Sequence, residues 1–314
     1  MGTPQFSATI LEALIKSDYD VIGVVTQPDR RVGRKHKLAQ SPVKQAALEN
    51  DIPVFQPLKL SGSPEMQEVI DLQPDFIITA AYGQFLPTKL LDAAKIAAVN
   101  VHGSLLPKYR GGAPVQYAIM NGEKETGVTI MYMVKKMDAG DMLAKAVLPI
   151  GPKDDTESIF EKMSHVGAKA LLETLPKLEE GTIQGQPQDE SEATFAPTIK
   201  SSQEELHLSL TAQELDCKVR ALRPDPGTYF SNFKGKRTKI WDIEPLDETT
   251  DQEAGTVVEA GKHDLKVAAA KGTVYSIKKL QPAGKAQMDI TAYLNGSGQG
   301  IKKGQRLIKD EDAN

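Results

Sequence analysis

The sequence predicts an α/β domain, a parallel sheet wrapped by helices, followed by a small β-barrel. Three observations lead there. Short apolar runs alternate with amphipathic helical segments through the first half of the chain. Beyond residue 211, short β-like runs recur with turn signals between them. Between the halves, 181–210 is rich in Gln, Pro, Glu, Ser and Thr and reads as a linker. The expected division is therefore 1–180, a linker at 181–210, and 211–314.

Each element has a local reason. Phe6, Ile10, Leu11, Leu14 and Ile15 share one helical face. The apolar run at 20–26 reads as a buried strand. A polar, basic stretch covers 27–40, and Ser41-Pro42 then opens a helix to about residue 50, with proline suited to the first turn. A brief strand at 54–55, a helix at 65–72, a buried strand at 75–80, a helix at 87–95 and a strand at 97–102 follow. The segments 127–134 and 141–149 flank an Asp/Gly turn and are suited to antiparallel pairing. A long helix is expected over 155–178. The second half predicts a helix at 211–222 and strands at 228–233, 237–244, 255–259, 264–269 and 272–280.

Composition bounds the rest. At 314 residues, the chain suits about two domains of roughly 150 residues each. Forty per cent hydrophobic and 25% charged residues exclude wholesale disorder. The 38 basic and 42 acidic residues give −4, which argues against a surface basic throughout but permits a local patch. One cysteine, Cys217, excludes an intrachain disulfide and a multi-thiolate metal site, as expected for a reducing cytoplasmic setting. No run approaches a membrane span and no signal pattern opens the chain, so no membrane partner is expected.

Chemistry concentrates in three places. Asn100 and His102 lie two apart at the end of a predicted parallel strand, so their side chains share a side. Open α/β sheets bind ligands at such strand ends. A carboxamide can donate to a developing oxyanion and histidine titrates near neutrality, so the pair suits acyl transfer. A loop histidine beside a turn asparagine is the other reading, and spacing leaves both open. Asp138, in Asp138-Ala139-Gly140, could orient such a histidine or could simply form a hairpin turn. Arg30, Arg31, Arg34, Lys35, Lys37 and Lys44 face only Asp29 within 29–44, a loop fit to grip phosphates or merely solvated. Lys234, Lys236, Arg237 and Lys239 form a smaller run. GxGxxG after a strand, a P-loop, HExxH and GxSxG are all absent.

The segments MGTPQFS, TQPDRRVGR, SPVK, PVFQP, AAYGQFLP, NVHGSLLPKYRGGAPVQ, ETGVTIM, MDAGDML, PQDE, ATFAPTI, LRPDPGTYF and LQPAGK resemble the folate-dependent formyltransferases, from residue 1 to about 309. Within that family they are most similar to the branch acting on methionyl-tRNA. The resemblance implies a Rossmann-like formyltransferase domain, then an OB-like barrel that binds tRNA. It implies formyl transfer from 10-formyltetrahydrofolate, as co-substrate and without a metal, to the α-amino group of initiator methionyl-tRNA by a cytoplasmic monomer. Asn100, His102 and Asp138 would be catalytic. Ser104, Leu105, Leu106 and Pro107, with Tyr82, Gly83, Gln84, Phe85, Leu86 and Pro87, would line the folate pocket. Arg34, Lys35 and Lys37, with Lys234, Lys236 and Arg237, would contact tRNA.

A sugar-nucleotide formyltransferase or a formyl-folate hydrolase would keep the catalytic trio without needing the basic loop and barrel. A silent tRNA-binding protein would not need the trio. Two departures from the family pattern stand out: Arg31 replaces a proline, and Arg223-Pro224-Asp225-Pro226 replaces Asn-Pro-Trp-Pro. Because the opening Gly2-Thr3-Pro4 turn ordinarily follows a strand, an apolar strand is expected ahead of Met1.

Overall fold

The computed structural model describes residues 1–32 and 37–309. The chain forms two compact units. One comprises 1–114, 125–149 and 159–198; the other comprises 115–124, 150–158 and the region from 199 onward.

The first unit opens with α1 (Gln5–Ile15), then β1 (Val24–Val25), β2 (Arg30–Val32), β3 (Lys37–Ala39), α2 (Pro42–Glu49), β4 (Val54–Phe55), α3 (Pro64–Asp71), β5 (Phe76–Thr79), α4 (Thr88–Leu91) and β6 (Ala97–His102). There follow β7 (Glu125–Tyr132), β8 (Met142–Pro149) and most of α6 (Thr156–Glu179), after α5 (Pro114–Met120), which from residue 115 belongs to the second unit. Ser41 and Ser63 cap α2 and α3 by accepting from Lys44 N and Met66 N, each ahead of a first-turn proline. β5 and β6 run parallel, and β7 and β8 continue that sheet antiparallel. Gly167 of α6 sits where a Cβ would lie 3.2 Å from Val101 and 3.4 Å from Val128, so helix and sheet pack closely there. The basic stretch is a hairpin, β2 pairing with β3, rather than a plain loop. The expected helix at 87–95 stops at Leu91, because Lys95 N and Ile96 N donate instead to Pro74 and Asp75.

The run at 20–26 is paired only at Val24–Val25, which runs parallel to β4. Its other side faces a cavity of 440 Å³, lined by Ile10, Leu14, Val21, Gly23, Phe76 and Ile78 among others. Met1 and Gly2 bridge one end of this gap. Gly2 N donates to Val25 O, Ala80 N donates to Met1 O, and Gly2 pairs in parallel with Ala80. An apolar segment fused ahead of Met1 can continue this pairing along both flanking strands. Four or five such residues, at ~1 kcal/mol net each, should raise Tm by roughly 10 °C. Thermal unfolding checks this, and an unchanged Tm for an apolar fusion contradicts it.

In the second unit, Thr211 and Glu214 form a capping box that starts α7 (Ala212–Leu222). The strands are β9 (Thr228–Phe233), β10 (Lys236–Thr249), β11 (Val257–Ala260), β12 (Leu265–Ala268), β13 (Thr273–Pro282), β14 (Met288–Asp289) and β15 (Ile308–Lys309), with α8 (Ile290–Asn295) before the last. They form one antiparallel sheet in the order β11-β12-β13-β10-β9-β15, with β14 on β13. The sheet curls until its ends meet: Val257 N donates to Gln305 O and Leu307 N to Gly255 O. Leu215, Val219, Phe230, Ile240, Tyr275 and Ile277 are among the side chains that fill its core. Arg223, one of the departures, bonds Asp155 at 2.9 Å and Asp242 at 2.6 Å.

Candidate active site

Alternation along β6 builds the site. Val99 and Val101 are fully buried in the core, so Asn100 and His102 project to the opposite side of the strand. Thr79, at the end of neighbouring β5 and in register with Asn100, donates its hydroxyl to Asn100 Oδ1 at 2.9 Å. That bond fixes which end of the carboxamide faces the protein. It leaves Asn100 Nδ2 without a protein acceptor among the described residues, aimed away as a donor.

His102 is 6% exposed. Its Nε2 lies 3.1 Å from Tyr109 O, and a carbonyl only accepts, so Nε2 carries a proton. Its Nδ1 lies 3.7 Å from Asp138 Oδ1, within ion-pair range but too long for a direct hydrogen bond. Asp138 Oδ2 accepts from Gly111 N at 2.8 Å. The fold therefore brings the aspartate of the Asp/Gly turn to the histidine of the strand end.

Two loops flank this cluster, each following the carboxyl end of a parallel strand. In the loop after β6, Ser104 and Leu106 are fully buried. Ser104 Oγ donates to Lys108 O, and Leu106 N donates to Thr129 Oγ1. Leu105 is half-buried, Pro107 buried, and the Leu106–Pro107 peptide is cis. In the loop after β5, Tyr82 and Leu86 are buried while Gly83 and Phe85 are exposed; Pro87 starts α4. Gln84 staples the loop by accepting from Leu60 N at 2.8 Å. The Tyr82 hydroxyl has no hydrogen-bond partner among the described residues, and burial, with Glu65 secondary, pushes it up to about 12.

Residues 1–175 match the formyl transferase family model, and 198–298 match the formyl transferase C-terminal domain. The chain belongs to the formyl transferase family. Among relatives of this formyl transferase is a methionyl-tRNA formyltransferase of Ligilactobacillus salivarius, 66% identical over 99% of this chain and 98% of the relative. Another, of Lactiplantibacillus plantarum, is 63% identical over 98% of each. Among solved structures, WlaRD, a sugar 3N-formyl transferase crystallised with dTDP and 5-N-formyl-THF, superposes with a TM-score of 0.67 at 16% identity, covering 91% of this chain and 97% of its own. HypX of Aquifex aeolicus, in complex with tetrahydrofolic acid, gives 0.59 at 20% identity over 82% of this chain and 44% of its own. These structural likenesses concern the fold.

The basic residues of this formyl transferase divide by their partners. Lys44 is engaged by Asp29 at 2.8 Å; that bond, with a second from Gln56, holds the Asp29 carboxyl below its ordinary range. Arg30, Arg31 and Lys37 are exposed on the β2–β3 hairpin. Arg34 and Lys35 lie outside the described residues. Lys234, Lys236 and Arg237 are exposed at the β9–β10 turn, with Arg237 stacked 3.6 Å over the Tyr229 ring. Lys239 is tied to Pro226 O at 2.6 Å. Among the described residues, no helix is long and apolar enough to cross a membrane and no cluster of three metal-ligating side chains occurs.

Thr79, Gly111 and Tyr109 were not singled out from sequence, although each touches a catalytic candidate. Thr79 had a readable sign, standing at the end of the apolar strand beside β6. The other two had none.

Proposed function

We propose that this formyl transferase moves a formyl group from 10-formyltetrahydrofolate to the α-amino group of methionyl initiator tRNA. The observation that carries this is likeness to methionyl-tRNA formyltransferases along nearly the whole chain, 66% identical in one case. The convergence of Asn100, His102 and Asp138 supports the chemistry. The α-amine nitrogen bonds to the formyl carbon, and the formyl oxygen becomes an oxyanion. Asn100 Nδ2 donates to that oxygen, as does a protonated His102 through Nδ1, which makes no direct hydrogen bond to a described residue. Asp138 faces Nδ1 from 3.7 Å and accepts the amine proton, directly or through water. Collapse restores the carbonyl and breaks the bond to N10, which takes from Asp138, directly or through water, the proton that the amine gave up.

Losing the oxyanion donor should be costly. Asn100→Ala should lower kcat by ~100–1,000-fold, and Thr79→Val by about tenfold, because the second change frees the amide without removing it. Steady-state formylation kinetics check both, and equal losses would contradict the orienting role of Thr79. For the barrel, the exposed lysines at the β9–β10 turn would contact phosphates. Lys234→Gln with Lys236→Gln should lessen the salt dependence of tRNA binding by about 1–2 in log–log slope. Filter binding across a salt series measures this, and an unchanged slope excludes the contact.

The deciding experiment compares acceptors with labelled 10-formyltetrahydrofolate: charged initiator tRNA, free methionine and an aminosugar nucleotide. Preference for charged initiator tRNA is expected. Preference for the sugar amine, or release of formate without an acceptor, would establish one of the alternatives.

A further inference from the structure

We propose that the strap at 186–196 is a positioning element for the reaction, with Gln188 and Thr194 as its positioning residues. This rests on the formyl-transfer roles assigned to His102 and Asp138. His102 faces two oxygens, the Asp138 carboxylate and the Tyr109 carbonyl. Both residues that supply them have left-handed backbones although neither is glycine: Asp138 at φ 49° and Tyr109 at φ 63°. Aspartate tolerates that region, whereas a bulky tyrosine holds it only where surrounding structure enforces it. The same strap reaches both.

Gln188 Nε2 donates to Asp138 O and to Gly140 O, each at 2.8 Å. Its Oε1 accepts from Arg110 Nε at 3.0 Å and Nη2 at 2.8 Å. Carbonyls only accept and a guanidinium only donates, so the residue between them must donate twice at one end and accept at the other. A carboxamide does this; a carboxylate, an ammonium and a thioether do not. Arg110 is 1% exposed, and Glu190 completes its pairing at 2.9 Å, so the anchor behind Gln188 is firmly held. Those bonds to Arg110 and Lys136 pull the Glu190 carboxyl down to about 2.

Eight residues from the strap's start, Thr194 Oγ1 accepts from Tyr109 N at 2.9 Å, and Thr194 O accepts from Arg110 N at 2.9 Å. Ala196 N donates back to Arg110 O at 2.7 Å. Gly111, the donor to Asp138 Oδ2, has φ 123°, and a Cβ there would lie 2.6 Å from Ala196 O. The strap thus fixes the turn that carries the carboxylate and the loop that carries the carbonyl.

The test measures kcat, both KM values and Tm for Gln188→Met and Gln188→Glu, in the parent and in an Asp138→Asn background, and for Thr194→Val in the parent. Gln188→Met keeps the side-chain volume and removes both hydrogen-bonding ends; Gln188→Glu keeps the acceptor for Arg110 and loses both donors. Both should lower kcat by about ten- to a hundredfold with KM changed less than about threefold, and by no more than about twofold once Asp138 is Asn. A merely structural role would give the same loss in both backgrounds, and that result overturns the proposal. So does a kcat within about twofold of the parent, or a rise in KM alone. Should Gln188→Met fail to fold, Gln188→Glu decides by the same criteria; Thr194→Val, which acts through Tyr109 on His102, is judged in the parent alone, where it should lower kcat by about tenfold with KM changed less than about threefold, and an unchanged kcat removes Thr194 from the proposal. His102→Ala, run alongside, separates the two readings. If it is fully active, the catalytic assignment falls and the strap's role with it. If it is inactive beside a fully active Gln188→Met, only the strap's role falls.

Discussion

His102→Ala should reduce kcat/KM for formyl transfer by ~1,000-fold or more, the upper part of the range for an acid–base group that also stabilises charge. The ring sits at the end of β6, with one nitrogen committed to Tyr109 O and the other facing Asp138. Removing it leaves the Asn100 donor and the binding loops, so residual activity is expected. It also leaves the Asp138 carboxylate without the ring that it faces. Because the site lies at a strand end and not in the central core, Tm should fall by only a few degrees. Formylation kinetics on charged initiator tRNA with a thermal melt check both parts. A variant with more than a tenth of parental kcat/KM and an intact fold would contradict the assignment.

Asp138→Asn should lower kcat by ~100–1,000-fold with little change in KM. The substitution keeps shape but removes the negative charge that faces His102 Nδ1 from 3.7 Å and the acceptor for the amine proton. It also places an amide where Gly111 N now donates at 2.8 Å. The asparagine can turn its oxygen toward Gly111, but its NH₂ then faces His102 and repels an imidazolium. Asparagine tolerates the left-handed backbone at this position, so the loss reports on charge and not on the turn. A loss of less than about tenfold, with KM unchanged, would show that Asp138 is not the partner of His102.

Much of the fold was legible because it rests on local rules. The helix starts at Ser41 and Thr211, the helix expected at 65–72 and the apolar strands at 75–80 and 97–102 appear where residue type and period place them. Among the elements that escaped are α5 and most of the strand expected at 20–26, each for a physical reason. α5 has only seven residues and follows Gly111-Gly112, too short for helical periodicity to show. Residues 20–26 carry a full strand's hydrophobicity, but pairing needs partners, and one flank of that segment faces a cavity.

At the candidate site, residue type and position singled out Asn100, His102 and Asp138 but left their roles open; the family resemblance supplied the roles. Their supports could not be picked out. Gln188 holds a turn 50 positions away and Thr194 a loop 85 positions away. Their stretch, rich in Gln, Pro, Glu and Thr, has the composition of a linker. Composition records solubility and turn preference; it carries no trace of which distant carbonyl a glutamine will meet.

The measurement closest to the central claim is a double-mutant cycle on kcat/KM with His102→Ala and Asp138→Asn. Because Asp138 acts partly through His102 and partly as acceptor of the amine proton, adding Asp138→Asn to His102→Ala should cost about tenfold or less, against the ~100–1,000-fold that it costs alone. Losses that multiply, each substitution exacting its full effect whether or not the other is present, would mean that Asp138 does not act through His102.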